Sequence, residues 1–234
     1  MKRSIKITLV SFVCLLAIAV AGFFLYVSDY YRADGAAIAA MTGTDVRLEN
    51  NLTILAPSTP SDTGLIFYPG GKVEHTAYLP LLEQLRQQGI TCVLVEMPFH
   101  LAVFNANAAG QVFDLLPEIQ RWYIGGHSLG GAIAGSYAAQ HQERIQGLVL
   151  LGAYIYGDYP AARSLTLYGS EDQVLDRSKI TYTENVVEIA GGNHAGFGNY
   201  GPQKGDGTAI ITAQEQQCQA AAAILEFMKA GEAP

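Results

Sequence analysis

Trp122-Tyr123-Ile124-Gly125-Gly126-His127-Ser128-Leu129-Gly130-Gly131-Ala132-Ile133-Ala134-Gly135 runs from a short apolar stretch into a stretch of small residues, with one serine at the join. The first part reads as a buried strand and the second as a helix, so Gly126-x-Ser128-x-Gly130 falls at a strand-to-helix corner. A corner that sharp forces its central residue into a strained backbone conformation. Glycine on either side lets strand and helix approach without a Cβ clash. Gly131, Ala132, Ala134 and Gly135 extend the small face along the helix. Such a corner holds the Ser128 hydroxyl out at the end of a sheet, which is where a nucleophile is needed.

Outward from this corner, short apolar runs alternate with helical stretches. Leu65–Tyr68 precedes a helix around 77–88, Cys92–Val95 one around 108–119, and Trp122–Ile124 the helix 129–140. Leu148–Leu151, Ser164–Tyr168 and Val186–Ile189 follow, and a helix around 213–228 closes the chain. Buried strands alternating with helices describe an α/β protein, a mostly parallel central sheet covered on both faces. Val46–Leu48 and Leu52–Leu55 flank Asn50-Asn51 as an edge hairpin, and 57–61 (Pro-Ser-Thr-Pro-Ser) reads as loop.

A serine hydroxyl needs an imidazole to take its proton, and that imidazole needs an acid to fix its tautomer. Where this corner occurs, the chain order is Ser, then Asp or Glu, then His. His75, His100 and His127 precede Ser128, and His141 ends the helix that follows it, too far along to return to the hydroxyl. His194 remains, in the glycine-rich loop Gly191-Gly192-Asn193-His194 after the strand 186–189. The acid belongs after the preceding strand, where Gly169-Ser170-Glu171-Asp172 offers Asp172, with Glu171 as neighbouring alternative and Asp176 further into the turn. An acyl-transfer oxyanion needs two backbone N–H donors. Leu129 supplies one, and Gly71 or Lys72, after Pro69-Gly70 at the end of strand 65–68, the other.

Ser128, Asp172 and His194 in that order, with the corner and the Pro69-Gly70-Gly71 loop, resemble the α/β-hydrolase superfamily over about residues 52–228. The run from Gly191 to Gly207 is also similar to small, exported, lidless bacterial members. The resemblance implies a hydrolase without supplying a substrate. Only residues 152–163 separate the strands 148–151 and 164–168, too few for the helical lid many members insert there. An open cleft is expected, with Tyr154, Tyr156 and Tyr159 as wall residues. The expected function is a serine hydrolase acting on a small or medium ester or thioester, without metal or organic cofactor. The alternatives are an amidase or peptidase, or a non-catalytic binding module on the same fold.

The chain has 14 Lys+Arg against 21 Asp+Glu, net −7, and half of its 234 residues are hydrophobic, which excludes a disordered chain. The first 34 residues carry +2, leaving −9 on residues 35–234, so a nucleic-acid partner is not expected. Residues 35–234 suit one domain. Ile7 to Val27 holds no charge; as a helix it is about 31 Å long and spans a bilayer. Lys2, Arg3 and Lys6 before it and Asp29 after it place the N-terminus in the cytoplasm and the domain outside. Ala19-Val20-Ala21 offers the competing reading, a cleaved signal and a secreted domain. Residues 34–44, rich in Ala and Gly, read as a short juxtamembrane helix or linker. Cys14, Cys92 and Cys218 have no ligand-like spacing and read as buried free thiols, with a Cys92–Cys218 bridge as the alternative outside the cytosol.

Overall fold

The computed structural model describes residues 2–42, 46–59 and 62–231; Gly43-Thr44 of the expected linker and Pro60-Ser61 of the expected loop lie outside the described residues. The chain divides into two compact units, residues 1–30 and 31–234. In the first, helix α1 (Lys2–Ser28) contains Lys6–Ser28, a stretch long and apolar enough to cross a membrane. The second begins at Tyr31. Tyr31 N–H donates to the Lys72 carbonyl at 2.8 Å, and Asp34 N–H to that of Asn199 at 2.8 Å.

Eight strands make one sheet: β1 (Val46–Glu49), β2 (Leu52–Leu55), β3 (Thr63–Tyr68), β4 (Thr91–Val95), β5 (Arg121–His127), β6 (Ile145–Leu151), β7 (Ser164–Gly169) and β8 (Val186–Ile189). Their order is β1-β2-β4-β3-β5-β6-β7-β8. The β1–β2 hairpin turns at Asn50, in the left-handed region (φ 52°), and pairs antiparallel with β4; all further pairings are parallel. Side chains alternate across the sheet. Leu65 and Phe67 enter one core with α3 (Leu79–Gln87) and α6 (Ala213–Ala230), while Ile66 and Tyr68 enter the other with α4 (Gly110–Leu115) and α5 (Leu129–Gln140). A further short helix, α2, spans Gly35–Thr42.

The helix expected over 108–119 shrinks to the six residues of α4. Pro117 is the reason: it disfavours helical geometry at the residue before it, and Leu116 has left the helix at φ −128°, ψ 65°. The connection from β6 to β7 holds only a 3-10 turn at Ala161–Arg163, so no lid is present there. The Cys92–Cys218 bridge does not form: Cys92 is buried, with its thiol directed to the Leu82 carbonyl, and Cys218 is exposed.

The chain passes from β3 to β4 on one side and then to β5 on the other, so strand order reverses at β3. Ligands of open α/β sheets bind outside the strand carboxyl ends at such a reversal. Here those ends carry Gly70-Gly71 and Ser128.

Helix α6 enters through a capping box. The Thr212 hydroxyl accepts from Glu215 N–H, and the Glu215 carboxylate accepts from Thr212 N–H. Thr212→Ala should lower stability by about 1 kcal/mol in urea denaturation of the detergent-solubilised protein.

Candidate active site

Ser128 caps α5 from a strained backbone, φ 52° and ψ −121°. The strain is held from several sides. Ser128 N–H donates to Leu151 O at 2.9 Å, and Ser128 O accepts from Ala132 N–H at 3.1 Å. A Cβ at Gly130 would stand 2.2 Å from the Pro69 carbonyl oxygen, so no other residue admits this approach of α5 to the end of β3.

Asp172 and His194, on the loops after β7 and β8, are both buried, and His194 Nδ1–H donates to Asp172 Oδ2 at 2.8 Å. The other carboxylate oxygen accepts from Val174 and Leu175 N–H at 2.9 Å each. Burial alone would raise the Asp172 pKa, but the His194 hydrogen bond and these amides outweigh it and hold the carboxyl below its ordinary value. Glu171 takes no part: its carboxylate accepts from the Ser170 hydroxyl at 2.8 Å. Asp176 caps the 3-10 turn Arg177–Lys179.

With Nδ1 committed, Nε2 of His194 is left to accept a proton, and this buried nitrogen hydrogen bonds to nothing among the described residues, Ser128 included. Ser128 and His194 line one cavity of about 280 Å³ with Leu129, Gly152, Tyr154 and Leu175. Of the expected wall tyrosines, Tyr154 is there. Tyr159 is buried, its hydroxyl donating to Ile145 O at 3.0 Å, and Tyr156 is exposed and outside the cavity lining.

The two oxyanion candidates after Pro69-Gly70 separate. Lys72, at φ 58°, donates its N–H to the His100 carbonyl at 2.8 Å, so that amide is spent. Gly71 and Leu129 N–H have no hydrogen-bond acceptor among the described residues. These two residues lie side by side, since a Cβ on Gly71 would stand 2.9 Å from Leu129 Cδ2.

Several supporting residues had no role in the sequence reading. His127 is wholly buried, and its Nε2–H donates to the His194 carbonyl at 3.0 Å. Its Nδ1 therefore accepts from the Tyr78 hydroxyl at 2.8 Å, and that oxygen accepts from Gly70 N–H at 3.0 Å. One chain of hydrogen bonds thus joins the glycine loop after β3 to the histidine loop. Asp206 holds the same loop from outside, accepting from His194 N–H at 3.2 Å and Ala195 N–H at 2.8 Å. Gln216, on α6, brackets Asn193 through both its N–H (3.0 Å) and its carbonyl (2.7 Å). The available signal was polarity out of place, since Gln216 shares a helix face with the buried Ala220 and Ile224. Gly152, at φ 53°, has the most direct effect: a Cβ there would stand 2.8 Å from His194 Nδ1 and 3.3 Å from Asp172 Oδ2.

Residues 64–218 match the model of the Alpha/beta hydrolase family. No curated protein sequence matches the chain. Among solved structures, Est1E from Butyrivibrio proteoclasticus with bound ferulic acid is 14% identical, with 76% of this chain and 95% of that one covered and a TM-score of 0.56. XC6422 from Xanthomonas campestris, a serine hydrolase without a lid, is 13% identical over 75% of this chain and 88% of its own, with a TM-score of 0.54. MGS-MChE2, an alpha/beta hydrolase enzyme from a lagoon-sediment metagenome, is 14% identical over 79% and 98%, with a TM-score of 0.56. At these identities the likeness is one of fold.

Gly152→Ala should slow reaction of the protein with a fluorophosphonate by at least about 100-fold, because displacing the imidazole by an ångström suffices for that. Gly201→Ala is the control: it shares the left-handed backbone (φ 78°) but has open space around it, and should react as the parent does. Equal losses in the two variants would trace the effect to backbone strain instead.

Burial, and next the neighbouring His194, push the His127 pKa well below 6.5. The unfolded imidazole takes up a proton below that value while the folded one does not, so stability falls as pH falls. Between pH 7 and pH 5 this group should remove up to about 2 kcal/mol. Urea denaturation at the two pH values should show that much less acid sensitivity in His127→Gln.

Proposed function

The chain belongs to the alpha/beta hydrolase family, and from that premise we propose that it is a serine hydrolase of small or medium esters or thioesters. Ser128 is the nucleophile, His194 the general base and acid, and Asp172 the residue that fixes the imidazole. The observation that carries this reading is the buried Asp172–His194 hydrogen bond, which leaves Nε2 unpaired in the wall of the cavity that Ser128 also lines. A hydrogen bond from Ser128 to Nε2 belongs to the substrate-loaded state, as such bonds commonly tighten only there.

In this mechanism the Ser128 oxygen attacks the acyl carbon while its proton passes to His194 Nε2. The carbonyl oxygen becomes an oxyanion facing the N–H groups of Gly71 and Leu129. Collapse expels the alcohol or thiol, which leaves with the proton from Nε2. Water then attacks the acyl-enzyme, giving its proton to the same nitrogen, and the carboxylic acid departs as Ser128 is restored. The absence of a lid supports hydrolysis of substrates reached directly from the surface. A neutral, wholly buried His127 supports assigning the proton transfers to His194 alone.

The charge pattern around α1 supports a spanning anchor with a cytoplasmic N-terminus and the hydrolase domain outside, with signal cleavage after Ala21 as the competing outcome. Carbonate washing of membranes should leave the full chain in the pellet; a soluble form beginning near Gly22 identifies cleavage.

Ser128→Ala should abolish fluorophosphonate labelling and lower kcat on an active ester by on the order of 10⁴–10⁶. Asp172→Asn should cost on the order of 10⁴ through loss of tautomer control, with Glu171→Gln nearly silent. Labelling retained at another serine refutes the nucleophile, and labelling absent from the parent favours the binding module.

A further inference from the structure

We propose that Tyr78 is a positioning residue for the oxyanion: its hydroxyl holds Gly70 so that the next amide along, that of Gly71, faces the carbonyl oxygen of the substrate. This role rests on the serine hydrolase reading above and extends it to a residue outside the cavity lining.

Tyr78 ends the 3-10 turn His75–Tyr78 that leads into α3. It is wholly buried, and its ring packs against Phe67, His127 and Tyr200 at centroid distances of 5.2, 5.7 and 6.4 Å. A phenylalanine would fill that place without a polar atom to satisfy, so the hydroxyl calls for a reason of its own. Both of its hydrogen bonds leave the turn: the oxygen accepts from Gly70 N–H at 3.0 Å, and the proton goes to His127 Nδ1 at 2.8 Å.

The direction of this chain is fixed at its far end. The His194 carbonyl can only accept, so His127, which burial keeps neutral, carries its proton on Nε2 and presents Nδ1 as a bare acceptor. Tyr78 must donate to it, which turns a lone pair of the hydroxyl toward Gly70. No side chain fits at that glycine, since a Cβ would stand 2.7 Å from both the Tyr78 hydroxyl and His127 Nδ1.

The consequence lies in the amides that follow. Gly70 N–H goes to Tyr78, Lys72 N–H to the His100 carbonyl at 2.8 Å, and Val73 N–H to the Gly70 carbonyl at 3.2 Å. Between them, Gly71 N–H has no acceptor among the described residues. The Gly70 carbonyl and the Gly71 N–H share one peptide plane and point in opposite directions, so fixing the first aims the second. Of these three anchors Tyr78 is the side chain; the other two join backbone to backbone. Without its hydroxyl the peptide ahead of Gly70 loses its hold, and a residue with no Cβ turns freely about both dihedrals. Through His127 the same hydroxyl ties the glycine loop to the His194 loop, so the oxyanion donor and the base keep one spacing.

The test reads the oxyanion itself in the detergent-solubilised full chain. The Ser128 oxygen bonds to the carbonyl carbon of trifluoromethyl propyl ketone, the Ser128 proton passes to His194 Nε2, and the ketone oxygen becomes an oxyanion whose protonation fluorine NMR follows. Tyr78→Phe should raise the pH at which that oxygen is half-protonated by about 1, a ten-fold loss of oxyanion stability. It should lower kcat on p-nitrophenyl butyrate by about ten-fold with KM unchanged, less than deleting a donor outright. A fall in kcat with the adduct titrating as in the parent marks a merely structural role and overturns the proposal, as does an unchanged kcat. If Tyr78→Phe does not fold, p-aminophenylalanine at position 78 puts in its place an amine that donates to His127 but accepts poorly from Gly70. The same displacement of the titration is expected there, and its absence overturns the proposal. A parent that forms no adduct and leaves the ester intact refutes the serine hydrolase reading, and the role of Tyr78 falls with it.

Discussion

The structure turns on how closely α5 approaches the ends of β3 and β5. With the Gly130 backbone against the Pro69 and Tyr68 carbonyls, the turn at Ser128 has no room to relax, and its positive φ is locked by hydrogen bonds to β6 and α5. The side chains that make this contact possible are hydrogens and methyls: Gly130, Gly131, Ala134, Gly135 and Ala138 on the sheet-facing side of one helix. Such a face buries little apolar area, so the helix depends on close packing, and any added methylene there acts as an overpacking lesion. The same approach brings Leu129 beside Gly71, so the geometry that exposes the serine also sets two unengaged amides next to each other.

The opposite wall of the site is built differently. The His194 loop has no regular structure beyond a single 3-10 turn, Ala195–Phe197, and is held by polar groups from distant parts of the chain. Asp206 takes two consecutive amides, Gln216 takes the N–H and carbonyl of Asn193, and His127 takes the His194 carbonyl. A loop fixed at five backbone groups presents its imidazole with little freedom. Because each partner is buried or half-buried, loss of any one leaves an unsatisfied group rather than a solvated one.

What the sequence made legible follows the range of the forces involved. Strand positions, the corner at Ser128 and the meeting of Asp172 with His194 depend on apolar runs and chain order, both visible along the chain. Lys72 was not separable from Gly71, because which amide is spent depends on one dihedral angle and on a carbonyl 28 positions away, that of His100. Tyr159 looked like a wall residue because its hydroxyl's acceptor, Ile145 O, lies on the neighbouring strand and is invisible in local sequence. The shortened α4 was readable in principle, since Pro117 stands inside the expected helix. So was Gln216, a polar residue on the apolar face of α6, whereas Asp206 was not: an acid in a glycine-rich stretch fits solvent equally well.

The missing lid and the apolar rim bear on one another. A lid serves to keep water from an apolar cleft until substrate arrives; a chain with twelve residues between β6 and β7 has none to close. Exclusion of water must then come from the substrate or from whatever surface the cleft faces. Leu101 and Leu129 flank Gly71, so an apolar group entering beside that residue displaces water from its amide.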